Sequence, residues 1–235
     1  MASFTHDDAL GQVVRVLRDY GDTAAKQELV DAEIDAFIAQ ALTRYSGDRP
    51  RELVADVIAG GGRTTDLPEG WVDETSRVLR VELADADDFD AVDPRAWSLY
   101  RSPTAIALRW VDGAEPASGE TVRIAYTVPR VLAATAQDTT VPDADFYALC
   151  DLAVSLSCAA LAQKYARTAE PLLNSGVVAY RTKAQEWDGR AQAYRKAYEA
   201  HIGAASGPVP AGAVVNWDTR STSGTDWLTH PRGQR

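Results

Sequence analysis

Residues of the types that perform chemistry are few in this chain and widely spaced. The three histidines, His6, His201 and His230, do not stand in an HExxH pattern or beside a cysteine, so zinc chemistry and a histidine-based triad have little support. The two cysteines, Cys150 and Cys158, are eight positions apart in a segment of helical pattern. Their Cα atoms are then roughly 12 Å apart, which is too far for a disulfide. We expect both thiols to be buried.

Two further segments have compositions that can bind ions. Residues 60–63 read Gly-Gly-Gly-Arg, but they lack the Lys-Ser/Thr of a P-loop and join two strand-like runs, so we interpret them as a hairpin connection. Residues 85–93 contain five aspartates. As a calcium loop starting at Asp85, this segment would place Asp90 where glycine is required, and it has no final glutamate. We interpret it as a solvated acidic loop, with a weak cation site as the alternative.

Composition and charge limit the classes of function. The chain is 46% hydrophobic and 25% charged, as expected of a globular protein with a buried core. Its net charge of −10 argues against nucleic acid as the main partner, because phosphate binding needs a cationic surface. We find no run of eighteen apolar residues and no signal peptide, so neither a membrane span nor secretion is expected. The motifs GxSxG and GxGxxG are absent, and we predict no catalytic residues, metal or cofactor.

The spacing of apolar residues predicts helices on both sides of a β region. Thr5 and Asp8 resemble a capping box that opens a first helix. From 53 to 128, short runs alternate apolar and polar residues between turn clusters, which favours antiparallel strands joined as a meander. Three further segments have helical periodicity: 31–45, 143–165 and 174–202. We expect these three helices to pack together, with Trp187 buried between them.

The predicted fold class is therefore α+β. It consists of a helical bundle, an inserted antiparallel β-meander and an extended C-terminal arm. The expected boundaries are 1–50 for the N-terminal helices, 51–130 for the β-meander, 140–203 for the C-terminal helical pair packing with them, and 204–235 for the arm.

The arm holds large aromatic side chains in a polar setting. Its stretch 216–231 reads NWDTRSTSGTDWLTHP and follows a linker rich in glycine, alanine and proline. A free tail gains nothing by exposing Trp217 and Trp227, so we predict that these residues and Leu228 bind in pockets of a partner. The segment AVVNWDT also has strand propensity and suits addition to a sheet edge. Docking of the arm on its own protomer is the alternative.

Three stretches carry a resemblance to a known class of protein. They are IDAFIAQALTRYSGDRPRELVADV, LPEGWVDETSRVLRVEL, and VPDADFYALCDLAVSLSCAALAQKYA followed by VVAYRTKAQEWDGRAQAYRKAYEAHIG. Together they cover most of residues 31–203. In this order they resemble the head–tail adaptor (connector) proteins of tailed bacteriophages and phage-like particles. The substantial β region between the helix pairs departs from the compact helical members of that class.

The resemblance implies a structural role in a virion. Similar proteins form a homo-oligomeric ring, commonly a dodecamer, below the portal protein, where they extend the DNA channel and offer a platform to the next neck or tail protein. Genomic DNA would pass through without sequence-specific binding, and no membrane is involved. The protein would be made in the host cytoplasm and located in the neck between head and tail. Our candidate for the lining of the channel or its rim is the acidic loop 85–93, with Asp85, Asp87, Asp88 and Asp90.

Two other classes of function remain open at this point. A tail terminator or completion protein also forms a ring, but it is mounted on the tail tube. A small-ligand-binding or enzymatic domain would hold its pocket in the β-meander.

Overall fold

A computed structural model describes residues 3–19, 28–85, 88–103, 105–111, 113–167 and 182–205. These residues form four α-helices and seven β-strands, so the predicted α+β class is confirmed. The helices are α1 His6–Asp19, α2 Asp31–Asp48, α3 Asp143–Ala166 and α4 Lys183–Ala205. The strands are β1 Arg51–Ile58, β2 Thr64–Asp66, β3 Val78–Asp85, β4 Asp88–Ala91, β5 Trp97–Arg101, β6 Ile106–Trp110 and β7 Thr121–Val128.

The helix ends follow local chemistry. The predicted capping box is present, since the Thr5 N–H donates to Asp8 Oδ2 at 2.8 Å and the Asp8 N–H donates to Thr5 Oγ1 at 3.3 Å. Helix α2 runs three residues beyond its predicted end at Tyr45, passing through Gly47 to Asp48. The Arg49 N–H donates to the Tyr45 carbonyl at 2.7 Å and so keeps this last turn closed.

Helix α3 is the centre of the helical core. It contacts α1, α2 and α4, and apolar side chains on nearly all its faces are buried. By length and composition alone α3 could cross a membrane, but most of it is enclosed by the other helices, as in a core helix. Cys150 and Cys158 are buried free thiols, as predicted. Trp187 of α4 is buried in the same cluster.

The strands pair antiparallel throughout, as predicted, in two sheets. The strand orders are β1-β7-β3-β4 and β2-β6-β5. This order is not that of a simple meander, because the first strand pairs with the last over eight residues, from Arg51↔Val128 to Ile58↔Thr121. The pairing places the apolar face of β1 beside the buried face of β7, where both cover the same core. The β region therefore begins and ends on adjacent strands.

The β region has a hydrophobic core separate from that of the helices. Leu108, Trp110, Val122 and Ile124 are buried at its centre, between the two sheets. The Trp110 indole N–H donates to Thr65 Oγ1 at 2.9 Å, which satisfies its polar atom inside this core. No residue is shared between this cluster and the helical cluster.

The glycine-rich segment 60–63 is not the predicted hairpin connection. It links β1 to β2, and these strands belong to different sheets. Gly61 has a φ of 74°, and a Cβ atom built there would lie 2.7 Å from the Ser118 Cβ. Gly61 therefore lets the β1–β2 connection pass close to Ser118 in the connection between β6 and β7.

Candidate interaction surfaces

The most buried charge in the described part of the chain is Asp145, in the first turn of α3. Its Oδ2 accepts from the Tyr45 hydroxyl at 2.6 Å, and both its oxygens lie 2.8 Å from Arg49 Nη1. His201 Nε2 of α4 is 2.8 Å from Asp145 Oδ1. One carboxylate thus joins the last turn of α2, the first turn of α3 and the last turns of α4. We call this set of four residues the polar junction.

Neighbouring contacts extend the polar junction to the β region. The Arg130 side chain, just after β7, donates to the carbonyls of Arg49 at 3.1 Å, Pro50 at 3.2 Å and Thr140 at 2.7 Å. The Tyr198 hydroxyl of α4 donates to Asp48 Oδ2 at 2.6 Å. The chain therefore enters and leaves the β region at one place, beside the ends of three helices.

The electrostatics of the polar junction favour an ionised carboxylate. Burial would raise the pKa of Asp145, but the hydrogen bonds from Tyr45, His201 and Arg49 outweigh it and hold that pKa below its usual value. Burial and the adjacent carboxylate raise the pKa of the Tyr45 hydroxyl, which stays a donor. The position at the start of α3 adds the favourable end of the helix dipole. These interactions hold helix ends in place.

Sequence reasoning missed the polar junction and treated His201 as an isolated residue. Tyr45, Arg49 and His201 stand 56 to 100 positions from Asp145 along the chain, so no local motif unites them with it. The available signal was an aspartate in the first turn of one predicted helix and an arginine just after another, both typical of helix ends.

The acidic segment that we predicted as a loop is in part a β-hairpin. Strand β4 pairs with β3 in the register Leu83↔Asp90 and Asp85↔Asp88, so three of the four candidate channel aspartates lie on one hairpin. Asp90 is exposed, and Asp87 lies outside the described residues. The Phe89 ring of β4 stacks on the guanidinium of Arg123 on β7, whose Cζ lies 3.6 Å from the ring centroid, and this contact stabilises β4 beside β3. The part of the chain that the structure describes holds no cluster of metal ligands.

Large apolar side chains are exposed on both parts of the molecule. On β1, Val54 is 61% and Ile58 is 64% exposed. On α3, Tyr147 is 55% exposed, and its ring packs edge-on against Phe4 and Phe146 at 5.8 and 5.4 Å. Single exposed apolar side chains are normal, but Val54 and Ile58 share one face of a strand at the end of a sheet, where one partner strand would cover both.

The remaining partner-binding candidates, Trp217, Trp227 and Leu228, lie outside the described residues. The same is true of the predicted first turns of the long helix, 174–181, so the described part of α4 begins at Lys183.

Comparison with known proteins gives partial likenesses to solved structures. No protein-family model and no curated protein matches this chain. A chain of "Neck of empty GTA particle computed with C6 symmetry" is 18% identical, with 79% of this chain and 87% of that chain covered, at a TM-score of 0.29. A chain of "Virion of native gene transfer agent (GTA) particle" is 20% identical, with 80% and 91% covered, also at 0.29. A chain of "Neck of native GTA particle computed with C12 symmetry" is 19% identical, with 80% and 94% covered, at 0.28.

The similar chains thus belong to the neck and virion of gene transfer agent particles. These TM-scores are too low to show a common fold.

Proposed function

We propose that this chain is a structural virion protein, a head–tail adaptor. In this proposal its copies form a ring below the portal protein of a phage-like particle, extend the DNA channel and provide a platform for the next neck or tail protein. The arm 204–235 reaches the portal or an adjacent copy through Trp217, Trp227 and Leu228. The acidic hairpin lines the channel or its rim, where it repels the DNA backbone and lets the genome slide.

The observation that carries this proposal is the resemblance over most of residues 31–203. The surface of the protein supports it. Exposed apolar side chains stand on the edge strand of the sheet and at the start of the central helix, two places suited to contacts with other chains. The charged residues most fully enclosed, at the polar junction, hold helix ends together by mutual hydrogen bonds. A subunit of an assembly needs a stable fold and exposed apolar surface that can contact other subunits.

Binding to the portal tests the adaptor role directly. Purified chain would be mixed with portal rings, with tail-tube protein and with neither, and the mass of each mixture measured by sedimentation. An adaptor binds the portal rings in a fixed number of copies. Binding to the tail tube alone would instead identify a tail terminator. Binding to neither, with a saturable small ligand found by screening, would support a pocket in the β region.

A matched pair of variants makes the test specific to the arm. The chain truncated after Ala205 keeps all four helices and should stay folded while losing portal binding. A chain with Trp217 and Trp227 both changed to alanine keeps its full length and should lose most of the same binding. Normal binding by both variants would remove the arm from the proposal and leave the adaptor role to other surfaces.

A further inference from the structure

One edge of strand β1 has backbone groups that pair with no other described strand. Among the described residues, β1 pairs on one side only, with β7, and stands at the end of the four-stranded sheet. The opposite edge of this sheet is β4, which has four residues and two aspartates that discourage further pairing. Strand β1 has eight residues and no lysine or proline, and over its stretch 53–58 the one charged residue is Asp56, which is paired with Arg123. An edge of this length without such protection is a template for another strand.

The backbone geometry shows which residues of β1 are available for pairing. The Ala59 N–H donates to the Glu120 carbonyl at 2.8 Å, and the Ala59 carbonyl accepts from Gly119 at 2.8 Å. Bonding alternates along an antiparallel strand, so Val57 and Ala55 also bond toward β7. The N–H and C=O groups of Ile58, Asp56 and Val54 therefore point away from the sheet.

The side chains of these outward-bonding residues suit a neighbouring strand. Val54 and Ile58 leave apolar surface open on the outer face of the sheet. Asp56 between them is neutralised, because Arg123 donates to its two carboxylate oxygens at 2.8 and 2.9 Å. An added strand would meet two apolar side chains and a paired charge, and its own alternate residues would cover that apolar surface.

We infer that the free edge of β1 receives residues 213–217, Ala-Val-Val-Asn-Trp, from the arm of a neighbouring copy. This inference rests on the proposed ring and names the contact that closes it. A ring is built from a head-to-tail contact in which each copy carries one donor and one acceptor surface. Strand β1 is the acceptor, and the segment 213–217 is the donor, since its two valines and its tryptophan favour a strand.

The position where the arm leaves the body favours a neighbouring copy over the same chain. Helix α4 ends next to the polar junction, since His201 contacts Asp145, which also binds Arg49 two residues before β1. All described strand pairs are antiparallel, and a strand from the same chain that kept this direction would have to start at the far end of β1, roughly 23 Å away along the strand. The connection 206–212 includes two prolines and would be stretched nearly to its limit of about 3.3–3.6 Å per residue. A strand from another copy has no such restriction.

Cysteine cross-linking between distinguishable copies tests this contact. One copy would carry Ile58→Cys and a second, tagged copy would carry Val215→Cys, because the two native thiols are buried. The two copies are mixed under oxidising conditions, alone and on portal rings. We expect a disulfide-linked pair that contains one tagged and one untagged copy, the mixed product. The matched control replaces Val72, which is 45% exposed and lies outside β1, and it should give no such product.

Two results would overturn the inference. One is the absence of the mixed product both in solution and on portal rings that do bind the chain. The other is a link formed only within a single chain carrying both cysteines. Failure of portal binding with the mixed product present would overturn the proposed adaptor role and leave the strand contact standing.

A backbone variant completes the test. Val54→Pro removes an N–H that points away from β7, so it should leave the fold intact and abolish the mixed disulfide. Val54→Lys adds a charge at the same place and should also abolish it, which covers the case in which the proline variant does not fold. A folded variant of either kind that still forms the disulfide in full would contradict the inference.

Discussion

Removing the carboxylate of Asp145 should destabilise the protein more than removing any exposed aspartate. In Asp145→Ala, the fully buried Tyr45 hydroxyl loses its acceptor, and the Arg49 guanidinium loses its partner. His201 also loses its contact at the end of α4. The variant therefore loosens three helix ends at once.

The size of the effect follows from burial. Deleting one member of a buried ion pair typically costs about 3–5 kcal/mol. The Arg49 and His201 side chains are 23% and 39% exposed, so hydrogen bonds to water replace part of their lost contact with the Asp145 carboxylate. Tyr45 has no such access, and stranding its hydroxyl costs about 1–3 kcal/mol. We expect a loss of about 3 kcal/mol in the free energy of unfolding. Tyr45→Phe, which leaves the other two partners bound, should cost about half of that.

Urea unfolding followed by circular dichroism would measure these changes. The matched control is Asp143→Ala in the same helical turn, because Asp143 is exposed and its carboxylate binds only Ser3 among the described residues. The control should lose a small fraction of what Asp145→Ala loses. Equal stability of the two variants would refute the account of the polar junction as the link between helix ends.

The same carboxylate predicts a dependence on pH. Its pKa is lowered in the folded protein, so the stability it provides is present above the unfolded value of about 4 and is lost as the pH falls below it. The wild-type protein should therefore lose stability in acid more steeply than Asp145→Asn, which has no carboxylate to protonate. Parallel pH profiles of the two proteins would show that Asp145 is not the group responsible.

Three other changes test separate parts of the molecule. Trp187→Ala should lower the unfolding free energy by about 3–5 kcal/mol, as for a core aromatic, and a variant that melts like wild type would place Trp187 outside the core. Changing Asp88 and Asp90 to lysine should leave folding and ring assembly intact but alter genome retention or ejection; loss of assembly with normal folding would place the hairpin in a subunit interface. Truncation after Ala205 should leave the melting temperature unchanged, and a large drop would mean that the arm docks on its own chain.

The sequence predicted what depends on local pattern. The periodicity of α3 identified a heavily buried helix, and the pair Thr5 and Asp8 identified the start of α1. Alternation in segments such as Thr121–Val128 identified strands and which of their faces is buried. In each case the physical cause lies within a few residues of the element itself.

What the sequence did not predict depends on distant partners. The strand order could not be derived, because β1 pairs with a strand about seventy positions away and the turns between them favour several orders. Strand β4 lies in an acidic segment, and the contact that stabilises it, Phe89 on Arg123, comes from a distant strand. The polar junction likewise joins residues from three helices, and no single one of its members is unusual for its own position.

The Arg130 side chain has a consequence for how such a chain can change in evolution. It binds the carbonyls of Arg49 and Pro50 while standing just past β7, so the two ends of the β region are neighbours in space. The residues on either side of the segment 51–129 are therefore in contact in the folded protein. Insertions are best tolerated where their two ends lie close together. The β region could be lengthened, replaced or reduced to a short turn while α2 and α3 keep their packing, so descendants of one helical body could present different outer surfaces to different neighbours.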